Sequence, residues 1–238
     1  MSGIVALYRL DGAPASRAIA GAMLEAQRHR GPDAQACRVD GSIALGHCLL
    51  ATTPGDAFVR QPLHDGKADR WLVADVRLDN RAALFAAGLG GQRAHDEVSD
   101  AELVLAAYDR WGDRGVEHLV GDFAFALWDA PRRRLFCARD HLGVRQLYYH
   151  RDVRTFRCAS EMQPLFADPS VVRRPHRVSV GLFLIDEYNE REQTLYDGVF
   201  SLPAGHTIAV TADAFRIAAY WRPDPWKETR LASSDDYS

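Results

Sequence analysis

Gly121-Asp122-Phe123-Ala124-Phe125-Ala126-Leu127-Trp128-Asp129-Ala130-Pro131, continued by Arg132-Arg133-Arg134-Leu135-Phe136-Cys137-Ala138-Arg139, is the stretch that decides the fold. Two short apolar runs, 123–128 and 135–139, flank the turn signal Asp129-Ala130-Pro131. Runs at 147–150 and 156–160 follow directly, so the spacing predicts consecutive antiparallel strands. Upstream, Ser99 with Glu102 three residues on forms a capping box. Leu103, Val104, Ala107, Tyr108 and Trp111 then share one face of a helix that should end near Gly112.

Further out the same alternation continues. Residues 4–8 read as a buried strand, and 15–30 as an amphipathic helix carrying Ile19, Met23 and Ala26, stopped by Gly31-Pro32. Residues 42–47 and 70–77 read as strands separated by a loop with Pro54-Gly55 and Gln61-Pro62, and 80–87 as a short helix. Toward the C-terminus, 161–166 suits one or two helical turns, 181–185 is apolar without a clear period, and 207–211 is a late strand after Pro203-Ala204-Gly205. Beyond Trp221 the chain turns Pro-, Asp- and Ser-rich, so 1–221 is read as a domain and 222–238 as a linker or tail. Hairpins dominate among helices, which implies an α+β arrangement of layered antiparallel sheets rather than a doubly wound parallel sheet.

Composition narrows the function. The formal charge of −3 and the absence of any basic run longer than Arg132-Arg133-Arg134 argue against nucleic acid and against anionic membranes. Cys37, Cys48, Cys137 and Cys158 show no paired spacing and suit a reducing cytoplasm, and no apolar stretch is long enough to span a membrane. The His residues lack His-x-x-x-His or His-Glu patterns, so no metal site is expected.

The start, Met1-Ser2-Gly3-Ile4, admits a chemical reading beside the ordinary one. If Met1 is removed, Ser2 offers a hydroxyl nucleophile and an α-amine whose ordinary pKa of roughly 8 lets it act as base. Gly3 would leave room for substrate beside the backbone.

His29-Arg30-Gly31-Pro32-Asp33, Leu45-Gly46-His47, Gln61-Pro62-Leu63, Ser99-Asp100-Ala101-Glu102, residues 121–129, residues 139–149, Ser160-Glu161 and residues 202–206 occur in an order that resembles the N-terminal glutaminase domain of glutamine-dependent asparagine synthetase. The resemblance implies a class II glutamine amidotransferase with the N-terminal-nucleophile hydrolase fold, two face-to-face antiparallel sheets between helices. It also implies where catalysis would sit, and there the chain departs from the pattern. Ser2 stands where the nucleophile is Cys, and Leu49 where an Arg grips the glutamine carboxylate. Asp75 replaces the Asn that donates to the oxyanion, and Val76 replaces a Gly of close approach. Asp100, aligned with the residue that holds the glutamine amino group, is retained. Loss of a single oxyanion donor costs roughly 100- to 1,000-fold in rate. The expectation is therefore a silent domain, as in the relatives β-lactam synthetase and lasso peptide cyclases, which join a carboxylate to an amine already present.

In those relatives ATP and Mg serve a C-terminal synthetase domain, whose Ser-Gly-Gly-x-Asp-Ser loop is missing from this sequence, so no cofactor is expected in this segment. The partner the resemblance implies is that synthetase domain, in cis or in trans; a peptide substrate and a homodimer are left open. Arg139, Asp140 and Gly143 are read either as part of the seam with that domain or as a hairpin connection held by an ion pair. His29, Arg30 and Asp33 serve either a site or the end of a helix. An active N-terminal-Ser amidohydrolase acting on an apolar amide, and a non-enzymatic binding or scaffold module, are the competing readings.

Overall fold

The computed structural model describes residues 1–52, 60–187 and 192–226; Pro54-Gly55 and residues 227–238 of the expected tail lie outside them. Among the described residues twelve strands build two sheets. The first takes β1 (Gly3–Arg9), β2 (Ala34–Asp40), β3 (Ile43–Leu49), β8 (Tyr148–Arg151), β9 (Thr155–Ala159) and β10 (Val199–Ser201), in the order β10-β8-β9-β1-β3-β2. The second takes β4 (Leu63–Asp65), β5 (Arg70–Leu78), β6 (Gly121–Asp129), β7 (Arg134–Arg139), β11 (His206–Val210) and β12 (Phe215–Ala219), in the order β12-β11-β7-β6-β5-β4. Every pairing is antiparallel.

Strand alternation sorts residues into layers. Ile4, Ala6 and Tyr8 of β1 meet Ala124, Ala126 and Trp128 of β6 and Cys137 of β7 in the core between the sheets. The opposite face of the first sheet, with Val5 and Leu7, packs on α1 (Arg17–Ala26) through Ala20, Met23 and Leu24. The outer face of the second sheet, with Leu72, Ala74, Phe123 and Phe125, packs on α2 (Arg81–Ala86) and α3 (Asp100–Trp111). The result is the helix–sheet–sheet–helix stack the resemblance implied. On α3 the expected cap is present, with the Ser99 hydroxyl accepting the Glu102 N–H and the Glu102 carboxylate accepting the Ser99 N–H.

One expectation needs correction. The strands between residues 121 and 160 do not form one meander: β6 pairs with β7 in the second sheet and β8 with β9 in the first, so residues 140–147 carry the chain across. Edge strand β2, largely exposed, escaped the sequence reading because it has no buried alternation to reveal it. The apolar segment near 181–185 belongs to α4 (Arg177–Leu184), whose Val178 and Phe183 are exposed. Among the described residues no helix is long and apolar enough to cross a membrane.

Candidate functional site

Ser2 sits where β1 begins, at the mouth of a cavity of about 760 Å³ that the two sheets and α3 enclose. Of the residues singled out from the sequence, Ser2, Leu49, Asp75, Val76 and Asp100 all line it. Arg139, Asp140 and Gly143 do not.

The period of β5 aims two of these side chains. Val73 points into the core between the sheets and Ala74 toward the helices, so Asp75 falls on the inner face and Val76 on the helix face. Gln61 fixes that backbone, donating to the Ala74 carbonyl at 3.0 Å and accepting its N–H at 2.6 Å. Asp75, 5% exposed, accepts the Ser2 N–H on Oδ1 at 3.1 Å, while Arg30 and Arg145 approach Oδ2 to 3.5 and 3.7 Å. Burial pushes the Asp75 carboxyl above its ordinary range, and the two guanidiniums, Arg145 then Arg30, only partly counter it.

The Ser2 hydroxyl accepts the Leu50 N–H at 3.1 Å, and Arg30 donates to the Ser2 carbonyl at 3.0 Å. Arg30 gets there because Gly31 lets the chain touch β3: a Cβ at Gly31 would lie 2.2 Å from the Cys48 carbonyl carbon. Its guanidinium also reaches Glu161 at 3.2 Å, and Glu161 contacts His29 at 3.0 Å. Arg30 thus meets both readings, closing a short helical turn over 28–30 while contacting Ser2 and Asp75, whereas Asp33 accepts the Ala51 N–H in a loop. The space beside Gly3 is not open to a substrate. It is filled by the buried Gln27, whose amide nitrogen would lie 3.0 Å from a Cβ there and whose amide atoms find no hydrogen-bond partner.

Asp100 keeps its chemical identity but not its freedom. Oδ2 accepts the Leu78 N–H at 2.7 Å and Oδ1 pairs with the Arg81 guanidinium, which also donates to the carbonyls of His95 and Val98. The sequence marks Arg81 only as part of the short helix expected over 80–87. Arg145 lies within the 139–149 stretch that carries the resemblance, and a cation six residues beyond Arg139 carries no sequence signal of its own.

The loop after β7 is held by its main chain. Asp140, 1% exposed, accepts N–H groups of Leu142, Val144, Arg145 and Phe123 between 2.8 and 3.3 Å. Arg139 donates to the carbonyls of Gly143, Arg145 and Leu202. Arg139 donates to the Ser201 hydroxyl as well, at 3.1 Å. Gly143 has φ +70°, and a Cβ there would come within 3.0 Å of the Arg139 guanidinium. Leu142 and Val144 face outward, 76% and 48% exposed.

Comparison with known proteins places this architecture. Residues 1–221 match the glutamine amidotransferase domain family. The chain is 28% identical over 210 residues to asparagine synthetase [glutamine-hydrolyzing] 3 of Bacillus subtilis, covering 87% of this chain and 34% of that enzyme. It is 31% identical over 186 residues to amidase chyE of Penicillium rubens, covering 69% of this chain and 27% of that protein. The chain therefore spans about a third of the length of the curated relatives it matches. In fold it is similar to the glutamine phosphoribosylpyrophosphate amidotransferase of B. subtilis, with a TM-score of 0.64 at 15% identity over 93% of this chain and 50% of that one.

Proposed function

Because the chain belongs to the glutamine amidotransferase domain family and is of the asparagine-synthetase type, we propose that it is a glutaminase-like domain that no longer hydrolyses glutamine and that supports an ATP-dependent amide-bond-forming domain. The observation that carries this reading is the state of the two cavity carboxylates. Asp75 accepts hydrogen bonds where an oxyanion needs a donor, and Asp100 has both oxygens engaged by the chain itself. Leu49 cannot pair with a carboxylate at the position where the resemblance puts the clamp, and Asp100, where it puts the amino-group partner, is already paired with Arg81.

A domain without ammonia suits a ligase whose nucleophile is an amine already on the substrate, and macrolactam closure of a peptide, as in lasso peptides, is the form we favour. ATP and Mg would then belong to the synthetase domain, in cis or trans, in the cytoplasm, and the outward Leu142 and Val144 would lie at the seam with it. The test is ammonia release from glutamine and from a panel of primary amides lacking an α-carboxylate, with Ser2→Ala as the blank. Release from glutamine above that blank overturns silence. The intact mass of the native gene product, about twice this chain or more for a second domain of ordinary size, tests the ligase.

A second reading is favoured by the likeness to amidase chyE and by the Ser2 side chain at the cavity: hydrolysis of an apolar amide by Ser2. Turnover in the same panel, lost in Ser2→Ala, would establish it.

A further inference from the structure

Two charged side chains hold the main chain of Ser2, and two more hold those in turn. Asp75 takes its N–H, Arg30 its carbonyl, Arg145 reaches the far oxygen of Asp75, and Glu161 takes another nitrogen of Arg30. Two guanidiniums and two carboxylates balance. The Ser2 nitrogen, however, belongs to the Met1–Ser2 peptide bond. Hydrolysis of that bond adds the elements of water, releases methionine, and leaves an α-ammonium where an amide N–H stood. Met1 is 51% exposed and Ser2 is small, which suits removal by an aminopeptidase. The new charge would arise about 3 Å from a carboxylate that has no closer cation, a distance at which a buried pair interacts strongly.

We propose that Asp75 is the counter-ion of a mature Ser2 terminus, and that the buried ammonium–carboxylate pair takes the amine out of use as a base for the Ser2 hydroxyl. The proposal rests on the silent-site reading and adds its cause: an Asn at 75 would accept the same hydrogen bond without holding the proton, so this one position both removes an oxyanion donor and disables the base. Arg30 and Arg145 act against Asp75 and favour the neutral amine, Glu161 offsets Arg30, His29 meets Glu161, and His47 lines the same cavity as Ser2. Asp75 prevails because Oδ1 touches the nitrogen itself whereas the guanidiniums approach Oδ2.

The experiment is cheap because Lys67 and Lys227 are the only lysines, so acylation of the α-amine by limiting acetic anhydride is readily resolved by peptide mass, with Lys67 as internal control. The chain is produced with its own Met1, its intact mass is recorded, and labelling rates are followed across the titration range of an ordinary terminus, around roughly 8. The expected result is a mass lacking Met1 and an amine that labels roughly tenfold faster at neutral pH in Asp75→Asn, a fall of about one pKa unit. Arg145→Gln should label more slowly than wild type. Retained Met1 overturns the proposal, as do equal rates in wild type and a folded Asp75→Asn. If Asp75→Asn does not fold, an Arg145→Gln rate equal to wild type overturns it instead. Ammonia release by the wild type overturns the silent-site reading, a separate readout from the labelling ratio.

Discussion

Asp75 and Asp168 are buried alike, 5% and 4% exposed, and their carboxyls are displaced in opposite directions. Burial raises both. At Asp168 the Ser170 N–H and hydroxyl, at 2.9 and 2.8 Å, and the Arg157 guanidinium, at 2.7 and 2.6 Å, reverse it and hold the carboxyl below its ordinary range. Arg157 is itself completed by Asp152 at 3.0 Å and His150 at 3.2 Å. At Asp75 the guanidiniums stand off at 3.5 and 3.7 Å, and the buried Nε of Arg145 has no hydrogen-bond partner among the described residues. Water withdrawn from a carboxylate is fully replaced in the first case and incompletely in the second. A knot finished in this way holds structure, and an unfinished one marks the place where a ligand or a terminus supplies the missing charge.

The largest effect that would break this contrast is on stability. Asp168→Asn should lose about 3 kcal/mol by leaving Arg157 short of its partner, whereas Asp75→Asn in a chain that keeps Met1 should change stability by about 1 kcal/mol or less. Equal losses in urea unfolding would mean that the two clusters do the same work.

Acid sharpens it. The folded pKa of Asp168 is depressed, so its contribution is complete above the unfolded value of roughly 3.9 and is lost as pH falls through the folded value. The gap between wild type and Asp168→Asn should close in melts run toward acid. In a chain that keeps Met1, Asp75 has the opposite sign: its folded pKa is raised, so that chain loses stability relative to its Asp75→Asn variant as pH rises through the folded value.

The next effect concerns Arg81. Arg81→Met should cost about 2 kcal/mol through lost charged hydrogen bonds, and by itself should not admit glutamine. Combined with Leu49→Arg it should give glutamine binding in roughly the millimolar range by calorimetry, near −4 kcal/mol. No heat from the double variant would show that Asp75 also excludes the ligand.

The smallest effect is local: Ser99→Ala removes the cap of α3 and should cost about 1 kcal/mol, with the cavity unchanged.

The layered fold was legible because buried strands and capped helices leave periodic traces: 123–128, 135–139 and Ser99-x-x-Glu102 say where an element lies and which face it buries. The exposed β2 leaves none, and nothing local told that β7 and β8 part company, since sheet membership is decided by the turn at Asp140. The site was legible as a set of positions, all five of which share one cavity. Its electrostatics were not. Arg81, Arg145 and Arg30 act across 19, 70 and 45 residues of chain on Asp100 and Asp75. Pairings at such separations appear only when the sheets are stacked.

The loop after β7 has a mechanical consequence. Arg145 gives its N–H to Asp140, its carbonyl to Arg139 and its side chain to the neighbourhood of Asp75, while Leu142 and Val144 project outward from the same few residues. The segment is a short lever pivoted on the Asp140 carboxylate. The outward Leu142 and Val144 and the inward Arg145 therefore share one buried anchor, the Asp140 carboxylate, which ties an exposed apolar edge to the corner that holds Ser2.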